Sequence, residues 1–183
     1  CPVLRDHGVA AFSEPLLDAH DRTAFEIHCF DTSTDAEDVV TDRLRNSADA
    51  WLRVTDLSDL ALAETIRKSK IDILVDLSGH TRGNRLLMFA LKPAPIQVTW
   101  LGYLNTTGLT AMDFRITDAC LEPPGETEQL HTEALCRRRH HSCVGSAAPS
   151  PRASPRPAVS NRYAPRGRVA PAPKRTCRGQ GRR

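Results

Sequence analysis

The densest apolar run of the chain, 71–77 (IDILVDL), is an almost unbroken series of β-formers and aliphatics, the pattern of a strand buried on both faces of a parallel sheet. Gly79 and Gly83 end it and bracket His80, Thr81 and Arg82 in a tight turn. A helix is predicted over 85–91 (RLLMFAL), where Leu87 and Leu91 stand four apart, until Pro93 and Pro95 stop it. A second buried strand over 96–101 then runs into Gly102, Tyr103, Leu104, Asn105, Thr106, Thr107 and Gly108, a loop of mostly small, hydroxyl and amide side chains. In open α/β sheets ligands sit outside the carboxyl ends of the strands, where both glycine loops fall.

Upstream, 1–8 (CPVLRDHG) reads as the exit of a strand, with Asp6, His7 and Gly8 forming a turn. Phe12, Leu16 and His20, spaced by four, predict a helix with Ser13 as its candidate cap and Pro15 in its first turn. Residues 25–30 (FEIHCF) alternate like a strand. Thr34 and Glu37 form a capping box opening a helix that ends near Arg43 and Arg45. A short strand over 51–54 precedes a helix capped by Asp56 or Ser58, with Leu60, Ala63 and Ile66 as its buried stripe. After the central unit, 114–117 is a further strand and Pro123, Pro124 and Gly125 make a turn. Strands alternating with helices predict an α/β fold, a Rossmann-like, doubly wound parallel sheet. Such a fold hosts many chemistries, so function has to be read from the loops.

Composition divides the chain. Of the 25 Lys and Arg, 13 lie in 136–183, which holds none of the 22 Asp and Glu, so residues 1–135 carry a net −10 although the whole chain sums to +3. That tail also holds 7 of the 13 prolines and no Leu, Ile, Phe, Met or Trp, too little apolar surface to offset ordering entropy. The expected organisation is a folded 1–135 and a disordered, basic, Pro/Arg-rich 136–183. Arg, Pro, Ala and Gly have the codons richest in G and C, so the tail reads as a shifted reading frame; the alternative is a basic tail binding nucleic acid through phosphates. The six cysteines form no CxxC pair, which argues against a disulfide framework or zinc site. No run approaches the roughly 18 apolar residues of a membrane span, and no signal peptide stands out. A reducing cytoplasm is the expected location, and a first residue of Cys rather than Met marks the chain as a piece of something longer.

Two histidines carry the candidate chemistry. His7, at a strand exit before a glycine, could act as base or donor, or simply sit in a surface turn. His80 lies on the exit loop of the central strand, where it could bind a ligand or merely pack. The stretch 79–83 resembles a phosphate nest but matches neither GxGxxG nor GxxxxGK[ST]. Thr106 and Thr107 could hydrogen-bond a sugar, a phosphate or their own turn. Asp72 and Asp76, four apart on one strand, stand roughly 13 Å from each other, too far for one metal ion. Glu64, Arg67 and Lys68 read as the solvated face of a helix.

The words 71–81 (IDILVDLSGHT), 83–91, 92–97 (KPAPIQ), 99–103 (TWLGY), 105–108 and 111–118 (AMDFRITD), with 14–17 upstream and 128–133 (EQLHTE) downstream, closely resemble the catalytic region of the O-linked N-acetylglucosamine transferase family, which includes the SPINDLY proteins. They run in family order from Leu4 to Leu135. The resemblance implies the first of two Rossmann-like lobes of a glycosyltransferase B fold. It implies transfer of N-acetylglucosamine from UDP-N-acetylglucosamine to Ser or Thr of protein acceptors, or, in the SPINDLY-like alternative, of fucose from GDP-fucose. It further implies a second lobe that grips the nucleotide, tetratricopeptide repeats upstream, and neither cofactor nor metal. By the same resemblance His7 is the catalytic residue lining the sugar cleft, His80 and Thr81 belong to a substrate loop, and Gly102, Tyr103, Asn105, Thr106, Thr107 and Gly108 face the donor sugar. Leu104 stands where the family usually carries proline, and Glu64 matches an acidic position weighed for catalysis.

Overall fold

The computed structural model describes residues 2–138, in the order α1 (Gly8–Asp18), β1 (His28–Asp31), α2 (Val39–Asn46), β2 (Ala50–Arg53), α3 (Asp59–Lys68), β3 (Ile73–Asp76), α4 (Leu86–Ala90), β4 (Ile96–Thr99), β5 (Phe114–Asp118) and β6 (Ala134–Arg138). All strand pairings are parallel, in a two-stranded sheet β1-β2 and a four-stranded sheet β3-β4-β5-β6. Helices cover both faces of the first sheet. Cys29 and Trp51, paired across it, pack with Leu4, Ala10, Val40 and Leu44 from α1, α2 and the N-terminal segment. The next pair, Phe30 and Leu52, faces the other way, into a core of Leu62, Ala63 and Ile66 of α3 and Leu86, Met88 and Phe89 of α4. Leu74 of β3 enters that same core, so α3 bridges the two sheets into one layer.

Parallel strands with helices packed against them make this an α/β, doubly wound, Rossmann-like arrangement. Residues 2–7 touch elements of both sheets. A Cβ on Gly83, beyond β3, would sit 3.5 Å from Pro2, while the Thr41 hydroxyl, on α2 beyond β1, donates to the Leu4 carbonyl at 3.0 Å.

Several local expectations are corrected by packing. Helix α1 starts at Gly8, capped by His7, and buries Val9, Ala10 and Ser13 in place of the 12/16/20 stripe; Ser13 sits inside it, its hydroxyl donating to Val9 O at 3.1 Å. Helix α2 is capped by Asp38, whose carboxylate accepts from Val40 and Thr41, not by the box from Thr34 to Glu37. Of the two caps weighed for α3, Ser58 serves, and Leu62 is buried where Leu60 was expected, Leu60 being 63 % exposed. In α4 the buried residues are Leu86, Met88 and Phe89, with Leu87 outside. Strand β3 is buried on one face only, with Leu74 and Asp76 inside and Ile73 and Val75 50 % and 44 % exposed.

Strand β6 was not expected. It pairs with β5 over five residue pairs through Arg138, so the boundary after Leu135 falls inside a strand. The expectation of a disordered tail concerns, from 139 onward, residues outside the described ones. Among the described residues Cys29 and Cys120 carry free thiols, and no helix is long and apolar enough to cross a membrane.

Leu74→Ala is expected to destabilise the fold by about 2–5 kcal/mol, since it opens a cavity at the junction of β3, α3 and α4 that the helices cannot readily close. The urea midpoint with an unchanged slope is the measurement that checks it.

Candidate functional site

The loop after β3 is organised by Asp76, the last residue of that strand. Its buried carboxylate accepts the Ser78 N–H at 3.0 Å, the Gly79 N–H at 2.8 Å and the Thr99 hydroxyl at 3.0 Å, which tightens the turn and ties it to β4. Gly79 and Gly83 both adopt positive φ, 53° and 77°. The Thr81 hydroxyl donates to the Ser78 carbonyl at 2.8 Å, so it serves the turn itself.

The loop after β4 lies directly against this turn. A Cβ on Gly79 would fall 2.3 Å from Tyr103 Cβ, and one on Gly102 would fall 2.0 Å from the Leu77 carbonyl oxygen. The chain can pass here only without side chains at both positions. Leu101 is held at φ 65°, a left-handed conformation costly for a bulky residue. His80 stacks edge-on against Tyr103, with ring centroids 5.1 Å apart, and donates from Nε2 to the Thr107 carbonyl at 3.0 Å. Its Nδ1 is thereby left as the acceptor of the neutral ring.

His7 meets the β4 loop in a cleft. A cleft of about 240 Å³ is lined by His7 and Phe12 from α1, by Leu101, Gly102 and Leu104 from the β4 loop, and by Arg115 from β5. As N-cap of α1, His7 accepts the Val9 N–H on Nδ1 at 3.2 Å. That bond assigns the proton of the neutral ring to Nε2, so His7 offers the cleft a donor, and a base role would require it to give up its cap. A larger, shallower depression of about 510 Å³ around Arg22, Phe25 and Asp49 lies at the opposite, amino ends of β1 and β2, away from every loop named above.

The fold thus brings together His7, Gly102 and Leu104 in one cleft, with His80 of the β3 loop edge-on against Tyr103 of the β4 loop. Thr106 and Thr107 are placed otherwise than expected for sugar contacts. Both hydroxyls donate to the carboxylate of Glu133, and Thr107 is buried. Asn105 accepts the Thr106 N–H on its side chain at 2.7 Å, and Gly108 turns the chain at φ 72° with open space around it. Glu64 is half exposed, paired with Arg67 on the outer face of α3. Among the described residues no group of three or more His, Cys, Asp or Glu could hold a metal ion.

Three loop anchors escaped the sequence reading: Asp76, Arg115 and Glu133. Asp76 had a local signal, an Asp followed two and three residues later by Ser and Gly, as in an Asx turn. For Arg115 and Glu133, no local pattern predicts partners that lie 10 to 27 residues away.

The model of glycosyl transferase family 41 matches residues 5–149 of the chain, continuing past Leu135, where the resemblance read from the sequence ended. The Arabidopsis thaliana protein named "Probable UDP-N-acetylglucosamine–peptide N-acetylglucosaminyltransferase SPINDLY" is 40% identical over 164 residues, covering 86% of this chain and 18% of its own length. The UDP-N-acetylglucosamine–peptide N-acetylglucosaminyltransferase of Caenorhabditis elegans is 35% identical over 147 residues, 78% of this chain and 12% of its own. Among solved structures, a mutant O-GlcNAc transferase of Thermobaculum terrenum superposes with a TM-score of 0.71 at 49% identity, over 74% of this chain and 26% of that one. The chain therefore spans about a fifth of the length of the curated relatives it matches.

Proposed function

The chain belongs to glycosyl transferase family 41, and from that premise we propose that its described residues form the sugar-facing wall of a protein O-glycosyltransferase. The whole enzyme would move N-acetylglucosamine from UDP-N-acetylglucosamine to Ser or Thr hydroxyls of protein acceptors in a reducing cytoplasm. The observation that carries this reading is the cleft that His7 and the β4 loop share at the carboxyl ends of β4 and β5, in a chain so similar to an O-GlcNAc transferase. In the transfer, the acceptor oxygen bonds to the anomeric carbon as the bond to the diphosphate breaks, and the hydroxyl proton passes to an oxygen of the departing diphosphate. His7 supplies a hydrogen-bond donor from Nε2, and the packed loops hold the sugar ring against it. Negative charge builds on the departing diphosphate, where a fixed donor stabilises the transition state more than the ground state.

Grafting 2–138 in place of the matching segment of the Thermobaculum terrenum enzyme tests this reading. The graft is expected to glycosylate a Ser/Thr peptide from UDP-N-acetylglucosamine. A folded graft that failed to do so would overturn the reading. The grip on the nucleotide is assigned to a second lobe, so the 183-residue chain alone is expected to give no micromolar heat signal when titrated with UDP. A micromolar signal would place a nucleotide site within this chain.

A further inference from the structure

The cleft-lining loop 102–108 is shaped by side chains that come from outside it. Glu133, on the approach to β6, accepts the Thr107 N–H at 2.6 Å and the Thr106 hydroxyl at 2.7 Å, and also the Thr107 hydroxyl. Thr106 Oγ1 in turn accepts the Gly108 N–H at 3.0 Å and the Thr132 N–H at 3.4 Å. From β5, Arg115 Nη1 donates to the Tyr103 and Asn105 carbonyls, both at 2.9 Å. Behind it, Glu122 Oε1 lies 3.7 Å from Arg115 Nε and 3.2 Å from His131 Nε2. All four side chains are withdrawn from solvent: Glu133 is 4 % exposed, and the side chains of Arg115, Glu122 and His131 are 3 %, 8 % and 2 % exposed.

Removing charged side chains from water is costly, and a fold of this size could have closed the same loop with an ordinary turn. The charge here is spent on backbone groups of one loop, the loop that faces the cleft. We propose that Arg115 and Glu133 are positioning residues which clamp the 102–108 loop from its two sides, with Glu122 and His131 holding the Arg115 fork in place. The functional meaning of the clamp rests on the reading of this loop as sugar-facing, but its existence does not.

The charge on Glu133 makes the clamp sensitive to acid. Burial alone would raise its carboxyl, but the Thr107 and Thr106 hydroxyls and the Thr107 N–H hold it below its ordinary 4.5. A depressed carboxyl contributes stability that is complete above 4.5 and is lost as pH falls through the lower folded value. The charged group facing Glu133 is Arg115 on β5, itself pushed down by burial and raised by Glu122 and Glu133; His131 reaches Glu122.

Hydrogen exchange on the full 183-residue chain tests the clamp, with protection of the Thr107, Gly108 and Leu109 amides followed against that of β3 and β4. In Glu133→Gln the loop amides are expected to lose at least about tenfold in protection while the strands keep theirs, and Glu133→Asp should restore part of it. Arg115→Lys, which keeps the charge but removes the guanidinium Nη1 that meets both carbonyls, should loosen the same amides. The wild-type loop should also show an acid limb below pH 4.5, measured relative to the strands, that Glu133→Gln abolishes. Unchanged loop protection in both variants would overturn the proposal, and so would an equal loss in loop and strands, which would make the pair ordinary structural residues. If the exchange result held but a graft carrying Glu133→Gln kept its KM for the nucleotide sugar, the clamp would stand and the sugar-facing reading would fall.

Discussion

Gly102→Ala is expected to lose about 2–4 kcal/mol of stability and to detach the β4 loop from the β3 loop, through overpacking that has no soft neighbour to absorb it. The added methyl would lie 2.0 Å from the Leu77 carbonyl oxygen, 2.7 Å from the carbonyl carbon and 2.9 Å from Ser78 Cα. All three are backbone atoms, held by the last residues of β3 and by the Asp76 turn, so no rotamer change relieves the clash. The chain must separate the loops or shift β3 against β4. Two controls separate this from the general cost of replacing glycine. Gly8→Ala, at the first position of α1 with nothing within 4 Å, should be neutral or stabilising by up to about 1 kcal/mol. Gly108→Ala also meets nothing within 4 Å but adopts φ 72°, and should cost about 1–2 kcal/mol from its left-handed backbone alone. Urea midpoints of the three variants check the order; a Gly102→Ala chain no weaker than Gly108→Ala would mean that the loops do not pack as described.

His7→Ala in the grafted enzyme is expected to cut transfer roughly ten- to a thousandfold, the range for removing one positioned donor or proton-handling group. The same change should cost about 0.5–2 kcal/mol of stability, because His7 caps α1 as well as lining the cleft. His7→Asn separates the two effects. Asparagine is a good N-cap, so stability should return close to wild type, while its shorter side chain leaves the donor out of reach and transfer stays low. Rate and melting temperature on the same samples decide. If His7→Asn restored the rate together with the stability, the histidine would serve the helix alone. His80→Ala belongs in the same series. It removes the edge-on contact with Tyr103 and the bond to the Thr107 carbonyl, so loss of transfer with an unchanged melting temperature would locate His80 in the site.

The order of elements and both glycine loops were legible in the residues, because they rest on local properties. Aliphatic runs such as 71–77 and 96–101 suit buried strands, and prolines and glycines stop what precedes them. The cleft of His7 and the β4 loop lies at the carboxyl ends of strands, the end to which the alternation of strand and helix directs attention. Where two local signals competed, packing chose between them. Phe12 and Leu16 offered α1 a helical stripe, but the surface waiting beside β1 and α2 took Val9, Ala10 and Ser13. The polar residues of the β4 loop show the same limit more sharply. Read by themselves, Thr106 and Thr107 could bond a sugar, a phosphate or their own turn; in the fold their hydroxyls donate to Glu133, and the loop's carbonyls are met by Arg115. Strand β6, with its short and partly basic sequence, exists because β5 offers it a parallel edge. Local chemistry therefore determined which segments become strands, helices and turns, while long-range pairing alone decided which polar groups remain to meet a ligand, since a hydroxyl is available or consumed only by virtue of what the fold places next to it.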